Sequence, residues 1–408
     1  MVTKIPIDKI AVPADIKLVN RQKILETFLD GEKQTTAAIH EMTGISKPTI
    51  MRALQYFCEK GMLKSAGFGG VTSSGGRKSE YFVFADNRRI LSIALWPDAV
   101  TLALSGLVGN EVYAIAHYDH ILDNSLEAAF LYLQKCVQTY LAEQNVTISD
   151  LYGVALSVAG TVDYGTGVLR YNSHAPGWGV NIPLVEHLKS IFGDKCVFFV
   201  DNSGKATGRA ILLDYPQFAE CRLLTVFTTW GVSSCMIERG HILNGRDSLI
   251  GEIGHMQISD VHTGQCGCGK HSCLESAIRL EHVREILEKE NAPWLNDEPL
   301  SFKALFDHSR QGDEAARKVV RYLAHCFAAA LHNLSLAYNQ EIVVFQGDFA
   351  WADDYFDRCL KEELDEFRYY PSGDCFTTVY DKRELPALAA RGGASQLRKR
   401  FFSSMAFD

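Results

Sequence analysis

Apolar residues recur at helical spacing in three segments near the start of the chain. These predicted helices cover residues 21–29, 36–44 and 46–60. Thr35 or Thr36 can cap the second helix, and Ser46 can cap the third. Gly44 and Gly61 stand at the ends of the second and third helices, where a residue in the left-handed conformation commonly ends a helix.

Two short strands are predicted next, at residues 62–64 and 81–84, with a flexible basic segment at 72–78 between them. This order of elements predicts a winged helix-turn-helix over residues 1–85. In such a unit the start of the third helix enters the major groove, and the wing reaches phosphates or the minor groove. The residues expected to contact DNA are Ser46, Lys47, Thr49, Ile50 and Arg52 in the helix and Arg77 and Lys78 in the wing. The alternative is a three-helix unit that binds protein or only packs on the rest of the chain.

From residue 86 onwards the pattern changes to strands that alternate with helices, which predicts two α/β lobes. The first lobe is expected over 86–200 with strands at 90–104, 110–117, 151–158 and 197–200 and helices at 125–144 and 184–192. The second is expected over 201–384 with strands at 222–227, 233–238 and 341–345, and the segment 385–408 is expected to join the first lobe. A cleft between two lobes is the default place for a ligand.

The charge is distributed unevenly over the 408 residues, whose net charge is −8. Residues 1–90 hold 14 Lys and Arg against 9 Asp and Glu, whereas residues 91–408 hold 27 against 40. A basic first segment on an acidic body is compatible with nucleic-acid binding. No stretch of eighteen apolar residues and no secretion signal is evident, so we expect a cytoplasmic protein that is not embedded in a membrane.

Eight of the eleven cysteines are scattered and are expected to be reduced. The other three, Cys266, Cys268 and Cys273, lie close together and follow His255. Three thiolates and one imidazole can complete a tetrahedral zinc shell, and a closed shell of four ligands is structural. His262 and His271 are rival imidazoles by spacing. The alternative is a loop with three unrelated thiols.

The segments GEIGHMQIS (251–259) and CGCGKHSCLE (266–275) resemble the signature of the ROK family, which contains sugar kinases and sugar-responsive repressors. The similarity extends through ALSVAGTVDYGTGVLRYNSHAPGW at 155–178 and over nearly the whole chain. The N-terminal unit with its GGRK wing is similar to that of the family's repressors. The resemblance implies an actin-like, two-lobed sugar-kinase fold. It also implies a structural Zn²⁺, held by His255, Cys266, Cys268 and Cys273.

The same resemblance implies a sugar site. Its expected residues are Gly160, His174, Asn202, Glu252, His255 and Glu275. Carboxylates and amides suit this role because each can bond two neighbouring hydroxyl groups. The alternative for the two glutamates is support of the zinc loop. His174 stands where the kinases have an asparagine.

Several positions depart from the kinase pattern, so we expect that the protein is not an enzyme. Ser203 occupies the place of the catalytic aspartate, and a serine hydroxyl is a poor base at neutral pH. The segment 92–101, SIALWPDAVT, has no glycine pair to hold phosphate. Trp230 interrupts the second phosphate loop, and Gln346 precedes Gly347 where the kinases have two glycines.

The expected function is therefore that of a sequence-specific DNA-binding regulator of carbohydrate metabolism, usually a repressor in this family. Its partners would be a double-stranded DNA operator and a sugar or sugar-phosphate effector, and it would be a homodimer or homotetramer. Two alternatives remain at this point: an ATP-dependent sugar kinase, and a regulator sequestered by a sugar-transporter protein.

Overall fold

A computed structural model describes residues 13–69, 79–119, 125–258, 263–368 and 376–404. The chain begins with a small unit of helices and strands. Its elements are α1 (Pro13–Glu26), β1 (Gln34–Thr35), α2 (Thr36–Thr43), α3 (Lys47–Glu59), β2 (Leu63–Phe68) and β3 (Glu80–Phe84). The strands form one sheet in the order β1-β3-β2, in which β3 is antiparallel to both neighbours. None of the helices within the described ranges is both long and apolar enough to cross a membrane.

The ends of α2 agree with the expected caps, whereas α3 has the expected N-cap residue without its capping hydrogen bond. The Thr35 hydroxyl accepts a hydrogen bond from the Ala38 amide, and Gly44 follows α2 with φ of 69°. Ser46 stands at the N-cap of α3, but its hydroxyl lies 2.9 Å from the Thr49 hydroxyl and makes no capping bond. Gly61 has φ of 72°, as expected for a residue that ends a helix.

Helix α1 differs from its prediction, because it begins at Pro13 and ends at Glu26 instead of covering 21–29. The Thr27 hydroxyl donates to the Ile24 carbonyl at 2.7 Å and competes for a group that would continue the helix. The following residues wind through tighter turns, in which the Phe28 amide donates to the Leu25 carbonyl. Phe28 is still fully buried.

The next part of the chain contains a five-stranded sheet with helices packed on it. Its elements are β4 (Arg89–Leu95), β5 (Ala99–Gly106), β6 (Val112–Asp119), α4 (Leu126–Glu143), β7 (Leu151–Val158), β8 (Thr161–Asp163), β9 (Val168–Tyr171), β10 (Ile182–Pro183), α5 (Leu184–Phe192), β11 (Val197–Asn202) and α6 (Ser203–Asp214). The sheet order is β11-β7-β4-β5-β6, with β4, β7 and β11 parallel. Strands β8, β9 and β10 form a small separate sheet.

The single strand expected over 90–104 is divided into β4 and β5. The Trp96 amide donates to the Ala99 carbonyl at 3.0 Å and closes a turn between them. Pro97 lies in this turn and has no N–H for a sheet ladder. The continuous apolar pattern concealed the turn, because both strands are buried on both faces.

The remaining elements include a second five-stranded sheet, whose order is β14-β13-β12-β15-β16. They are β12 (Leu223–Thr228), β13 (Val232–Glu238), β14 (His241–Ile242), α7 (Leu274–Ile278), α8 (Leu280–Lys289), α9 (Phe302–Gln311), α10 (Glu314–Ala337), β15 (Ile342–Gly347), α11 (Asp354–Phe367), β16 (Thr377–Asp381) and α12 (Leu385–Ser404). Strand β12 is parallel to β15 and antiparallel to β13.

Helices α6 and α12 join the two sheets. Helix α12 packs on β4, β7 and β11 of the first sheet, and α6 packs on α12 and on β13 of the second. The two helices approach so closely at Gly392 that a Cβ atom there would lie 1.8 Å from the Ala206 carbonyl oxygen. Glycine is therefore required at this crossing.

The N-terminal unit shares a hydrophobic core with the first sheet and with α12. This core combines Ile24 and Phe57 with Tyr152 and Phe401. Phe84 of β3 packs edge-on against Phe401, with 5.8 Å between ring centroids. The N-terminal unit is therefore packed directly on the first sheet and on α12.

Candidate functional site

A cleft lies between the two sheets, where the loops after β4, β7 and β12 meet. It is bordered by every residue that the sequence assigned to a sugar site. These residues are Gly160, His174, Asn202, Glu252, His255 and Glu275. Because they come from separate loops and strand ends, only the folded chain brings them together.

Asn202 organises one wall of this cleft. Its Oδ1 accepts hydrogen bonds from the amides of Gly204 at 2.8 Å and Lys205 at 3.3 Å, so it caps α6. Its Nδ2 donates to the Gly160 carbonyl at 2.8 Å. The amide oxygen thus has both acceptor positions filled, and one Nδ2 hydrogen is left for a ligand.

Glu252 precedes a single 3-10 turn, Ile253–His255. Burial raises the pKa of Glu252, while His255, the Thr161 hydroxyl and Lys205 act in the opposite direction. Lys205 is 3% exposed, and its Nζ donates to Asn244 Oδ1 at 3.1 Å. Lys205 was not predicted from the sequence, although its place in the same segment as Asn202 was a signal.

Glu275 and His174 face each other across Gly231. Glu275 Oε2 accepts a hydrogen bond from the Val232 amide at 2.9 Å. A Cβ atom on Gly231 would lie 2.6 Å from Glu275 Oε2 and 3.0 Å from His174 Nε2, so a side chain there would collide with both groups. Burial is the main cause that lowers the pKa of His174, which favours the neutral imidazole.

Four side chains form a candidate metal centre beside the cleft. Ligand atoms of His255, Cys266, Cys268 and Cys273 all lie within 4.8 Å of one another. His255 Nδ1 is 3.7 Å from Cys266 Sγ, and Cys268 Sγ is 3.7 Å from Cys273 Sγ. One imidazole and three thiolates are a donor set that fits zinc.

A tight loop positions the first two thiols of this centre. The Cys266 amide donates to the Lys270 carbonyl at 2.8 Å, and Gly269 has φ of 82°, a conformation that suits glycine. Of the rival imidazoles, His271 is exposed and stands outside the four-residue group. His262 lies outside the described residues.

Several positions at which the sequence departs from the expected kinase pattern lie in or next to the cleft. Ser203 lines the cleft, is 4% exposed and, among the described residues, has no hydrogen-bond partner for its hydroxyl. Trp96, directly after β4, packs on Phe227 of the other sheet with 6.0 Å between ring centroids. Trp230 lines the cleft and is 58% exposed. Burial raises the pKa of Asp348, which follows Gly347, to about 6.

Only some of the residues expected to contact DNA lie on the exposed surface of α3. Ser46, Lys47 and Arg52 are exposed, and Thr49 is half-buried. The prediction for Ile50 is wrong, because its side chain is fully buried in the N-terminal core and cannot reach a base.

The wing residues and one further residue of α3 also belong to the expected DNA-contacting surface. Arg77 and Lys78 lie outside the described residues. Met51 is 62% exposed on the surface of α3 and was missed. Its spacing of four from Lys47 was the available signal, since residues four apart share a helix face.

Comparison with known proteins places this geometry in a family. The profile of the ROK family matches residues 104–398. The glucokinase of Thermotoga maritima is 26% identical over 265 residues, and the match covers 60% of this chain and 78% of that enzyme. The xylose repressor of Caldicellulosiruptor bescii is 22% identical over 365 residues, and the match covers 86% of this chain and 88% of the repressor.

A solved structure extends the similarity to the fold. The crystal structure of a ROK family transcriptional regulator, described as a homolog of the E. coli Mlc protein, superposes with a TM-score of 0.74. The match covers 96% of this chain and 98% of that chain at 18% identity. The mixed α/β fold is therefore that of ROK proteins, and the chain belongs to the ROK family.

Proposed function

We propose that the protein is a DNA-binding transcription regulator, in the role of a repressor of carbohydrate metabolism, and that its cleft binds a sugar or sugar phosphate without phosphorylating it. The observation that carries this proposal is the N-terminal unit. Helices α2 and α3 are joined by the turn at 44–46, and the strands β2 and β3 follow. This is the element order of a winged helix-turn-helix.

Helix α3 has the division of faces that a recognition helix needs. Ile50, Leu54 and Phe57 bury one face, and Lys47 and Arg52 remain exposed near the start of the helix. Lysine and arginine at this place can contact phosphates or guanine. Similarity to the xylose repressor over 86% of the chain supports the same proposal.

The cleft supports a sensing role. Of the described residues that line it, the carboxylates belong to Glu252 and Glu275. Phosphoryl transfer needs a base beside the reacting hydroxyl and a loop that holds ATP. In the expected alignment Ser203 stands in the place of the base, and the Trp96–Phe227 contact lies where the ATP loop would be. The cleft is therefore suited to holding hydroxyl groups and not to catalysis.

A structural Zn²⁺ bound by His255, Cys266, Cys268 and Cys273 belongs to this proposal. It would fix the loop that ends at Glu275. Effector binding would close the two sheets on each other, and the core shared with the N-terminal unit would carry the movement to α3. A homodimer or homotetramer would present paired helices to a palindromic operator.

The similarity to glucokinase favours a second candidate function, that of an ATP-dependent sugar kinase. Coupled measurement of ATP consumption over a panel of sugars separates the two. The regulator predicts no sugar-dependent turnover. Turnover that is abolished by Ser203→Ala would establish the kinase instead.

The regulator is tested by genomic footprinting, followed by measurement of operator affinity with and without each sugar of the panel. We expect one sugar or sugar phosphate to bind in calorimetry and to change operator affinity. Absence of binding to any genomic site, or ligand binding without a change in operator affinity, would overturn the proposal.

A further inference from the structure

A separate, open cavity lies among α9, α10, the turn at 348–351 and the start of α11. None of the described residues that line it also lines the sugar cleft. Five basic side chains border it, together with three aspartates and two aromatic rings. The basic residues are Lys303, Arg310, Arg317, Arg358 and Lys382. Such a concentration of positive charge stands out in a part of the chain that is acidic overall.

Two of the arginines are held by one aromatic ring. The guanidinium carbons of Arg317 and Arg358 lie 5.2 Å and 5.4 Å from the centre of the Tyr355 ring. Arg317 Nε also donates to the Ser309 carbonyl at 3.2 Å. These contacts fix the guanidinium groups and leave other N–H donors for a ligand, so less conformational entropy is lost on binding.

The two lysines lie over Trp351, which is 36% exposed. The Nζ atoms of Lys303 and Lys382 are 5.5 Å and 5.3 Å from the centre of its ring. Arg310 donates to the Trp351 carbonyl at 2.8 Å. The ring and its backbone therefore gather three cations at one side of the cavity.

The aspartates neutralise only part of this cluster. Asp307 pairs with Lys303 at 2.7 Å and also with Arg310. Asp353 is 6% exposed, and its carboxylate is bonded to the Ser309 hydroxyl and to the Phe356 amide. Asp354 is the third aspartate, and it is exposed.

Within the described part of the chain, three of the basic residues have no ion-pair partner. Throughout the described ranges, no carboxylate pairs with Arg317, Arg358 or Lys382. Neighbouring Lys318 and Arg321, by contrast, pair with Glu290 and Glu362. Cations gathered without counter-charges repel one another, and a bound anion would relieve that repulsion.

We infer that this cavity binds a phosphate group, either free or as part of a phosphorylated small molecule. Guanidinium groups bind phosphate oxygens through paired, charge-assisted hydrogen bonds, and lysines add point charges. Since the site shares no residue with the cleft, it would be a second input to the protein, independent of the proposed sugar effector.

Calorimetric titration of the full chain with inorganic phosphate, at constant ionic strength, tests the site. We expect the double variant Arg317→Gln, Arg358→Gln to bind phosphate more weakly by about tenfold or more, because two charge-assisted contacts are lost. The matched control is Arg222→Gln, Arg246→Gln, which removes two exposed arginines elsewhere. No binding by the native chain, or equal binding by both double variants, would overturn the inference.

A variant that is expected to raise phosphate affinity keeps the test valid if the double arginine variant folds poorly. Asp307→Asn removes a negative charge and releases Lys303 and Arg310, so phosphate should bind more tightly. Unchanged or weaker binding would contradict the site. Titration with glycerol phosphate identifies the source of the group: tighter binding than inorganic phosphate indicates a phosphorylated metabolite, and weaker binding indicates the free anion.

Discussion

Glu275 Oε1 lies 3.7 Å from the Sγ atom of Cys266, while its Oε2 accepts a hydrogen bond from the Val232 amide. One carboxylate thus contacts both the candidate metal centre and the edge of the cleft. A change in the thiol loop should therefore move a group that borders the cleft, which would couple metal binding to the proposed effector.

The first prediction concerns this link. Cys268 does not line the cleft. Nevertheless, Cys268→Ser should reduce zinc content, lower the thermal midpoint and weaken effector binding, because the loop before Glu275 loses one of its four metal-binding side chains. Zinc is measured by mass spectrometry and effector affinity by calorimetry. Cys221→Ser, a partly buried thiol outside the centre, is the control. Full zinc content in the variant would exclude Cys268 as a ligand.

The second prediction concerns Glu275 itself. Glu275→Gln keeps the shape of the side chain and removes its charge, so effector affinity should fall by about tenfold or more, as for loss of a hydrogen bond to a charged group. The control is Glu288→Gln on the exposed surface of α8. If affinity falls only in proportion to zinc content, Glu275 supports the metal loop and does not bind sugar.

The third prediction separates the DNA-contacting and core residues of α3. Lys47→Ala and Arg52→Ala should weaken operator binding with little effect on stability, because both side chains are exposed. A phosphate contact should also reduce the slope of log affinity against log salt by about 1. Ile50→Ala should instead lower the stability of the N-terminal unit by about 2–5 kcal/mol.

The measurements are fluorescence anisotropy on operator DNA over a salt series and thermal denaturation. Lys195→Ala, an exposed lysine outside the N-terminal unit, serves as the control. Normal operator affinity in both the Lys47 and the Arg52 variants would remove α3 as the recognition helix.

The fourth prediction is a pH dependence of stability. Burial raises the pKa of Asp348 to about 6 from an ordinary value of 3.8. Between these values the folded chain binds a proton that the unfolded chain has lost, so stability falls as pH rises through this window. Asp348→Asn should remove a penalty of about 1–3 kcal/mol above pH 6 and should have little effect below pH 4.

Thermal midpoints of the native chain and of Asp348→Asn, recorded across this pH range, give the answer. The exposed Asp194→Asn is the control, for which no such pH-dependent difference is expected. A stabilisation by Asp348→Asn that is the same at low and neutral pH would show that charge burial is not its cause.

Much of the site was predictable because its residues lie in short, distinctive segments. The thiol spacing identified Cys266, Cys268 and Cys273 as a group, and the resemblance selected His255 over its rivals. Ile50 was assigned wrongly from its position in the motif, although its helical spacing from Leu54 and Phe57 places it on the apolar face of α3. Burial, which depends on packing against other elements, decides which residues of a helix face outwards.

The sequence by itself determined most of the helices and longer strands, the basic N-terminus, the thiol cluster and the substitution at Ser203, since each depends on nearby residues. Only the tertiary structure decided that Trp96 packs on Phe227, that Glu275 contacts Cys266, and that Arg317 and Arg358 lie over the Tyr355 ring. Except for the contact between Arg358 and Tyr355, which both lie in α11, these contacts join residues from separate strands, loops and helices. No local pattern encodes such distances, because they depend on how whole sheets and helices pack together.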